Sequence, residues 1–176
     1  MGGGSLDSGY MKRIRERVLS AENGMVFTTS DFADIADSSD TVRQSLNRLV
    51  NSGILRRVFR SVFEKPKYSN LLKEYVATDP NAVANALART IAPYGNTALN
   101  FLGLSTQVTA TWSYISDGPY RIYEWDSTRI EFKHRVNWEI TGLSYITVLV
   151  VQELKTLEKD NVTPEIIRIL SDRLGS

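Results

Sequence analysis

Three observations predict an α+β fold, an N-terminal winged helix-turn-helix followed by a mixed helix and antiparallel-strand domain. Apolar residues between positions 28 and 53 recur at helical spacing on either side of a polar turn. Residues 54–63 hold two apolar and basic runs about a tight centre, as a hairpin would. After residue 107, three runs of β-branched and aromatic residues alternate with polar ones, separated by turn residues. The expected organisation is a first module over residues 10–67, a joint within 65–70 and a second domain over 74–174. Residues 1–9, MGGGSLDSG, read as a flexible tail or a cloning remnant.

A first helix is expected over residues 10–21, with Met11, Ile14, Val18 and Leu19 inward and Lys12, Arg13, Arg15 and Arg17 on a basic outer side. Glu22-Asn23-Gly24 stops it. Residues 25–27 suit a short strand that pairs with the hairpin. Thr28 or Thr29 then caps a short helix over 31–36, which places Phe32, Ile35 and Ala36 on one face. Asp37-Ser38-Ser39-Asp40 is a turn of side chains that bond nearby backbone N–H groups. One of Ser39, Asp40 or Thr41 caps the next helix, which runs to about residue 51 and buries Val42, Leu46, Leu49 and Val50. Gly53 ends it, as suits a residue that tolerates positive φ.

The exposed side of that second helix keeps groups that can read bases. Arg bonds guanine O6 and N7 in bidentate fashion, and Gln or Asn does the same for adenine N6 and N7. In a helix-turn-helix, the N-terminal turns of the second helix meet base edges in the major groove. Ser39, Thr41, Arg43, Gln44 and Asn47 are therefore expected to face bases. Arg48 and the hairpin residues Arg56, Arg57, Arg60, Ser61, Lys65 and Lys67 are expected to face phosphate. Residues 41–73 carry eight Lys and Arg against one acid, a local charge of +7, whereas the whole chain is +1. Segregated positive charge of this kind is the footprint of phosphate binding.

Beyond residue 73 the charge reverses, with nine Lys and Arg against twelve Asp and Glu over 74–176. Asp79 and Pro80 open a helix with an apolar stripe of Val83, Ala84, Leu87 and Ile91. Pro93-Tyr94-Gly95 breaks it, and residues 97–102 form a short helix closed by Gly103. Residues 108–115, 120–125 and 129–136 read as antiparallel strands, with turns at 116–119 and 126–128 and an edge segment at 138–142. A helix over 142–157 ends near Lys159. A last one starts with Thr163 as cap and Pro164 in its first position, and turns Ile166, Ile167, Ile169 and Leu170 inward.

These words carry a resemblance. The first module is similar to the N-terminal domain of AbiEi-type antitoxins of type IV toxin–antitoxin systems. The matching elements are Val26-Phe27-Thr28, the run TVRQSLNRLV over 41–50, and Gly53-Ile54-Leu55. The second unit resembles a related group of short antitoxin-like proteins through ANALAR at 84–89, PYGNTALN at 93–100 and LGLSTQV at 102–108. Together these cover about residues 10–140. The resemblance implies an antitoxin that represses its own operon, with a nucleotidyltransferase-like toxin as neighbour and no enzyme activity of its own.

The remaining signals are negative or bland. With no cysteine, the chain has neither a disulfide framework nor a thiolate metal site. Its one histidine, His134, sits in an alternating strand beside Lys133 and Arg135, and no phosphate-binding loop, nucleophile elbow or dinucleotide fingerprint is present. No catalytic residue, metal or cofactor is expected. The longest apolar run, residues 145–151, is too short for a membrane span, the N-terminus lacks a signal-peptide stretch, and a cytoplasmic location follows as the default. The polar residues between Gly95 and Val108 read as helix caps and turns, or otherwise as a recognition patch with Arg89. The aromatic-rich strands read as packing rather than as a stacking platform for bases, because Glu124, Asp126, Glu131 and Glu139 would repel phosphate.

The expected function is a sequence-specific repressor bound to double-stranded DNA at its own promoter, as the antitoxin of a type IV-like system. A single winged helix reads one half-site, so two copies would meet on an inverted repeat. The alternative is a protein-interaction module that binds and neutralises a partner toxin directly, without DNA.

Overall fold

The computed structural model describes residues 4–88, 90–107, 109–134, 144–157 and 162–174. The fold is α+β, and it divides into two compact units, residues 1–87 and 88–176. The joint expected at 65–70 lies inside the first unit, and the expected edge segment at 138–142 and helix end near 159 lie outside the described residues.

The first unit begins with α1 (Gly4–Ser20), which starts within the segment expected as a tail. Strand β1 (Val26–Thr28) follows, then a 3-10 turn (Thr29–Phe32) and α2 (Ser39–Asn51). A hairpin of β2 (Arg56–Phe59) and β3 (Val62–Glu64) leads into a second, shorter hairpin of β4 (Tyr68–Ser69) and β5 (Glu74–Tyr75). Helix α3 (Pro80–Leu87) closes the unit and packs against β1. Strand β3 is the centre of an antiparallel sheet of order β1-β3-β2, so residues 26–28 do pair with the basic hairpin.

The core of this unit is the apolar set at helical spacing. Ile14 and Val18 from α1 meet Phe32, Ile35 and Ala36, then Val42, Leu46 and Leu49 from α2, with Phe27, Leu55 and Phe63 from the sheet side. Leu19 does not join them. One position past Val18 turns it about 100° away from the buried stripe, and it is exposed. In place of the helix expected over 31–36 there is the 3-10 turn at 29–32, followed by one further turn in which Ile35 and Ala36 both donate to the Phe32 carbonyl. Ser38, rather than Ser39, Asp40 or Thr41, caps α2. Its backbone is extended, its Oγ accepts the Thr41 N–H at 3.4 Å, and the helix starts one residue earlier than expected. Gly53 sits beyond the last turn at φ +74°, in the left-handed region that ends helices.

A bidentate ion pair ties α1 to the following turn. Arg17 donates to both carboxylate oxygens of Asp34, at 2.7 and 2.6 Å, and to the Asp31 carbonyl at 2.8 Å, with its guanidinium over the Phe32 ring. Those hydrogen bonds hold Asp34 below the usual carboxylate range and raise Arg17. Thr28 caps the 3-10 turn, its backbone N–H donating to Asp31 Oδ2 at 2.6 Å.

The second unit holds β6 (Ile91–Pro93), α4 (Asn96–Leu102), β7 (Thr111–Ser116), β8 (Arg121–Trp125), β9 (Thr128–His134), α5 (Tyr145–Thr156) and α6 (Pro164–Leu174). The sheet order is β6-β7-β9-β8. The antiparallel expectation holds for β8 with β9; β6, not expected as a strand, pairs antiparallel with β7, and the central pair β7 and β9 is parallel. The tight turn at Asp126, φ +47°, folds β9 back on β8, and it is β9 rather than β8 that lies beside β7. Helices α4, α5 and α6 pack through Ala98, Leu102, Leu149, Val150 and Leu170, while Ala92, Ile115 and Val148 join sheet to helix. Ile91 lies in β6 rather than on the α3 stripe, because that helix ends at Leu87. Ile167, expected inward, is exposed on α6.

The polar segment at 95–107 acts as turn chemistry. Gly103 adopts φ +74° at the end of α4, Asn100 Nδ2 donates to the Gln107 carbonyl and to Thr109 Oγ1, and Thr97 Oγ1 accepts the Ser113 N–H. Tyr114, Phe132 and Trp125 are buried, so these strand aromatics serve packing.

The Arg17–Asp34 pair sets a pH dependence. A carboxylate lowered in the folded state stabilises the fold above its unfolded pKa and loses that effect as pH falls through the folded value. Urea melts should show Asp34→Asn less stable than the native chain from pH 7 down to about 5. That gap should narrow as pH falls below the ordinary aspartate pKa of about 3.9 and through the lowered folded value; a gap independent of pH would refute the assignment.

Candidate nucleic-acid interface

Helix α2 and the β2–β3 hairpin enclose a cleft of about 440 Å³, lined by Arg43, Gln44, Asn47, Arg57, Phe59, Arg60, Ser61 and Phe63. Its construction follows from local sequence. The apolar stripe of α2 turns Val42, Leu46 and Leu49 to the core, which leaves Arg43, Gln44 and Asn47 on the open side. In the hairpin the register shifts between Arg57 and Phe59, so the strand bulges at Val58 and re-aims its side chains. Arg60 and Ser61 make the turn, with Ser61 at φ +65°.

Two contacts fix the cationic side chains. Arg57 Nη2 donates to Asn47 Oδ1 at 2.5 Å and the guanidinium lies over the Phe63 ring, so hairpin and helix are joined across the cleft. Arg43 is held to Asp40, one turn earlier on α2, at 2.8 Å. The sequence carried a signal for that pair, an acid and an arginine three apart on one helix. Phe59 and Phe63 give the cleft an apolar wall that charge counting alone did not suggest.

Six of the expected site residues thus come together: Arg43, Gln44, Asn47, Arg57, Arg60 and Ser61. Ser39 is exposed at the first turn of α2 and Thr41 is half-buried there, while Arg48 is exposed further along the helix. Two expected phosphate contacts have internal partners instead. Arg56 donates to the buried carboxylate of Glu64 through Nε at 2.8 Å, and its Nη2 reaches the Val76 carbonyl and Thr78 Oγ1 at 2.9 and 3.0 Å. Lys65 Nζ donates to the carbonyls of Leu19 and Ala21 at 2.7 Å each, and so satisfies the C-terminal end of α1. Lys67 lines a different cavity of about 630 Å³, with Gly24, Met25, Val76 and Asp79. Glu64 is the one acid in the basic run, and that isolation was the readable hint that an arginine had an internal counter-charge.

The second unit shows the opposite pattern. Arg129 pairs with Glu124 at 2.9 Å, Tyr120 donates to Glu131 at 2.8 Å, which raises the phenol, and Lys133 lies over the Tyr94 ring. His134 Nδ1 lies 3.0 Å from the Gly118 carbonyl. Among the described residues no three His, Cys, Asp or Glu gather as a metal site, and no helix is long and apolar enough to cross a membrane.

An α+β chain with a cationic cleft in its first unit is the class these features define. A family model described as a family of unknown function, DUF6088, matches residues 13–174, and the chain belongs to that family. No curated protein matches it.

The division of the arginines makes a prediction about stability. Arg56→Ala leaves the buried Glu64 carboxylate without its cation and should cost about 3 kcal/mol in urea unfolding. Arg60→Ala removes an exposed turn residue and should stay within about 0.5 kcal/mol. Equal effects would mean that Arg56 is a surface residue in solution.

Proposed function

We propose that the first unit is a winged helix-turn-helix that binds double-stranded DNA, and that the protein is a sequence-specific repressor of its own promoter. The observation that carries this reading is the cleft itself. Three arginines, a glutamine and an asparagine stand where one helix face meets a basic hairpin turn, and Arg43, Gln44 and Asn47 carry base-reading chemistry. In this reading α2 lies in the major groove with Arg43, Gln44 and Asn47 toward base edges and Ser39 and Thr41 at the entering turn. Arg57, Arg60 and Arg48 approach phosphates. Arg56 and Lys65 support the hairpin and α1 instead of touching DNA.

The antitoxin role is the second part of the proposal and rests on the resemblance to AbiEi-type proteins. It pairs the repressor with a nucleotidyltransferase-like toxin and places two copies on an inverted repeat upstream of the operon. Cytoplasmic action and the absence of catalysis belong to the same reading.

The test is a fluorescence-anisotropy titration against the chain's own upstream DNA and a scrambled duplex at several salt concentrations. Tighter binding to the upstream DNA is expected. Arg57→Ala and Arg60→Ala should each lower the slope of log K against log salt by about one unit. Equal weak binding to both duplexes would sink the repressor.

Arg43 and its tether separate base reading from general attraction. Arg43→Ala should cost about 1–3 kcal/mol on the preferred sequence and relax specificity at one position. Asp40→Asn should tighten binding, because it releases Arg43 and removes a negative charge. A uniform loss on cognate and random DNA for Arg43→Ala would reassign it to phosphate.

A further inference from the structure

The β4–β5 hairpin is an arm with a fixed root and an apolar end. At the root, the Val76 N–H donates to the Lys67 carbonyl at 2.8 Å, and the Val76 carbonyl accepts from Arg56, itself held by Glu64. Beyond the root the two strands are two residues each and form a sheet of their own. Tyr68 and Tyr75 pair edge to face across it at 5.3 Å. Leu71 is 91% exposed, Leu72 64%, Tyr75 63% and Tyr68 48%. Solvent-facing apolar clusters of this size mark interaction surfaces, and a lone two-stranded hairpin is marginal without a partner.

We propose that this arm joins two copies of the chain, end against end about a twofold axis. Three observations select a second copy over nucleic acid. First, residues 68–76 contain one cation, Lys73, and one acid, Glu74, so the arm is neutral and offers phosphate no net attraction. Second, the root lies at the Arg56 and Glu64 end of the β2–β3 hairpin, the end opposite the Arg60-Ser61 turn that borders the cleft. A contact through the arm therefore leaves the cleft open. Third, adjacent opposite charges are self-complementary under a twofold: Lys73 of one copy meets Glu74 of the other, and the reverse pair forms by symmetry. The two tyrosines and two leucines expose on the order of 500 Å² per copy, so pairing would bury about 1,000 Å², the floor for a specific interface. The dimer is accordingly a micromolar one that forms and separates with concentration.

Sedimentation velocity of the full chain from about 1 to about 200 μM reads this directly. The mass should rise from 19.8 kDa toward twice that value. Leu71→Asp with Leu72→Asp, both on exposed residues, should hold the chain at the monomer mass with an unchanged circular dichroism spectrum. Lys73→Glu alone and Glu74→Lys alone should each lose the dimer through like-charge contacts. An equimolar mixture of those two variants should recover it, because one carries two acids and the other two cations. A monomer at every concentration overturns the proposal, as does a dimer that survives the leucine substitutions, or a mixture that stays monomeric. The inference rests on the arm and not on the DNA reading. A dimer that ignores DNA sequence sinks the repressor alone, and a monomer that still prefers one half-site sinks the arm alone.

Discussion

Glu64 is a carboxylate buried in the middle strand of a three-stranded sheet, and three segments of the first unit converge to pair it and bond it. Arg56 supplies the counter-charge from the neighbouring strand, and Thr78 donates a further hydrogen bond at 2.7 Å. Leaving such a group unpaired is far more costly than the net gain from pairing it. The sequence is therefore constrained at three separated places: one hairpin strand, the centre of the sheet, and the segment before α3. The same arginine grips the Val76 carbonyl, so the cleft hairpin, the arm and the lead into α3 share one anchor.

That anchor explains how the positive charge divides. Eight cations over 41–73 look equivalent in a count, yet the fold separates them by the oxygen atoms each can reach. Arg56 and Lys65 meet a buried carboxylate and the bare carbonyls at the end of a helix. Arg57 is fixed but stays exposed at the cleft, and Arg60 is exposed at the turn. The resulting patch is smaller and more ordered than the sequence charge suggests. Its field is also local, because Asp40 stands beside Arg43.

The helical stripes, the Phe32, Ile35 and Ala36 face and the hairpin centre were legible because each is set by neighbours a few positions away. Spacing of 3.6 decides which side of α2 is buried, and left-handed Gly53 and Gly103 mark where helices end. What escaped was decided by distant partners. Nothing near Lys65 announces that its ammonium caps a helix more than forty residues earlier. The parallel pairing of β7 with β9 was hidden for the same reason. Alternation and turns identify strands, but they do not say which strand a hairpin returns beside. In the cleft, the helix side could be read residue by residue, whereas the tie between Asn47 and Arg57 needed the fold.

The parallel pair has a consequence for the order in which the chain acquires its structure. Strand β7 emerges first, yet the neighbour that completes it, β9, follows an intervening strand that ends on the far edge of the sheet. The β8–β9 hairpin joins sequence neighbours, whereas β7 gains β9 only after β8 has been laid down. Until that moment one side of β7 offers open backbone groups to any other strand. Non-local pairing of this kind closes late. During synthesis the first unit, complete by residue 87, is free to fold well before the second has made its central join.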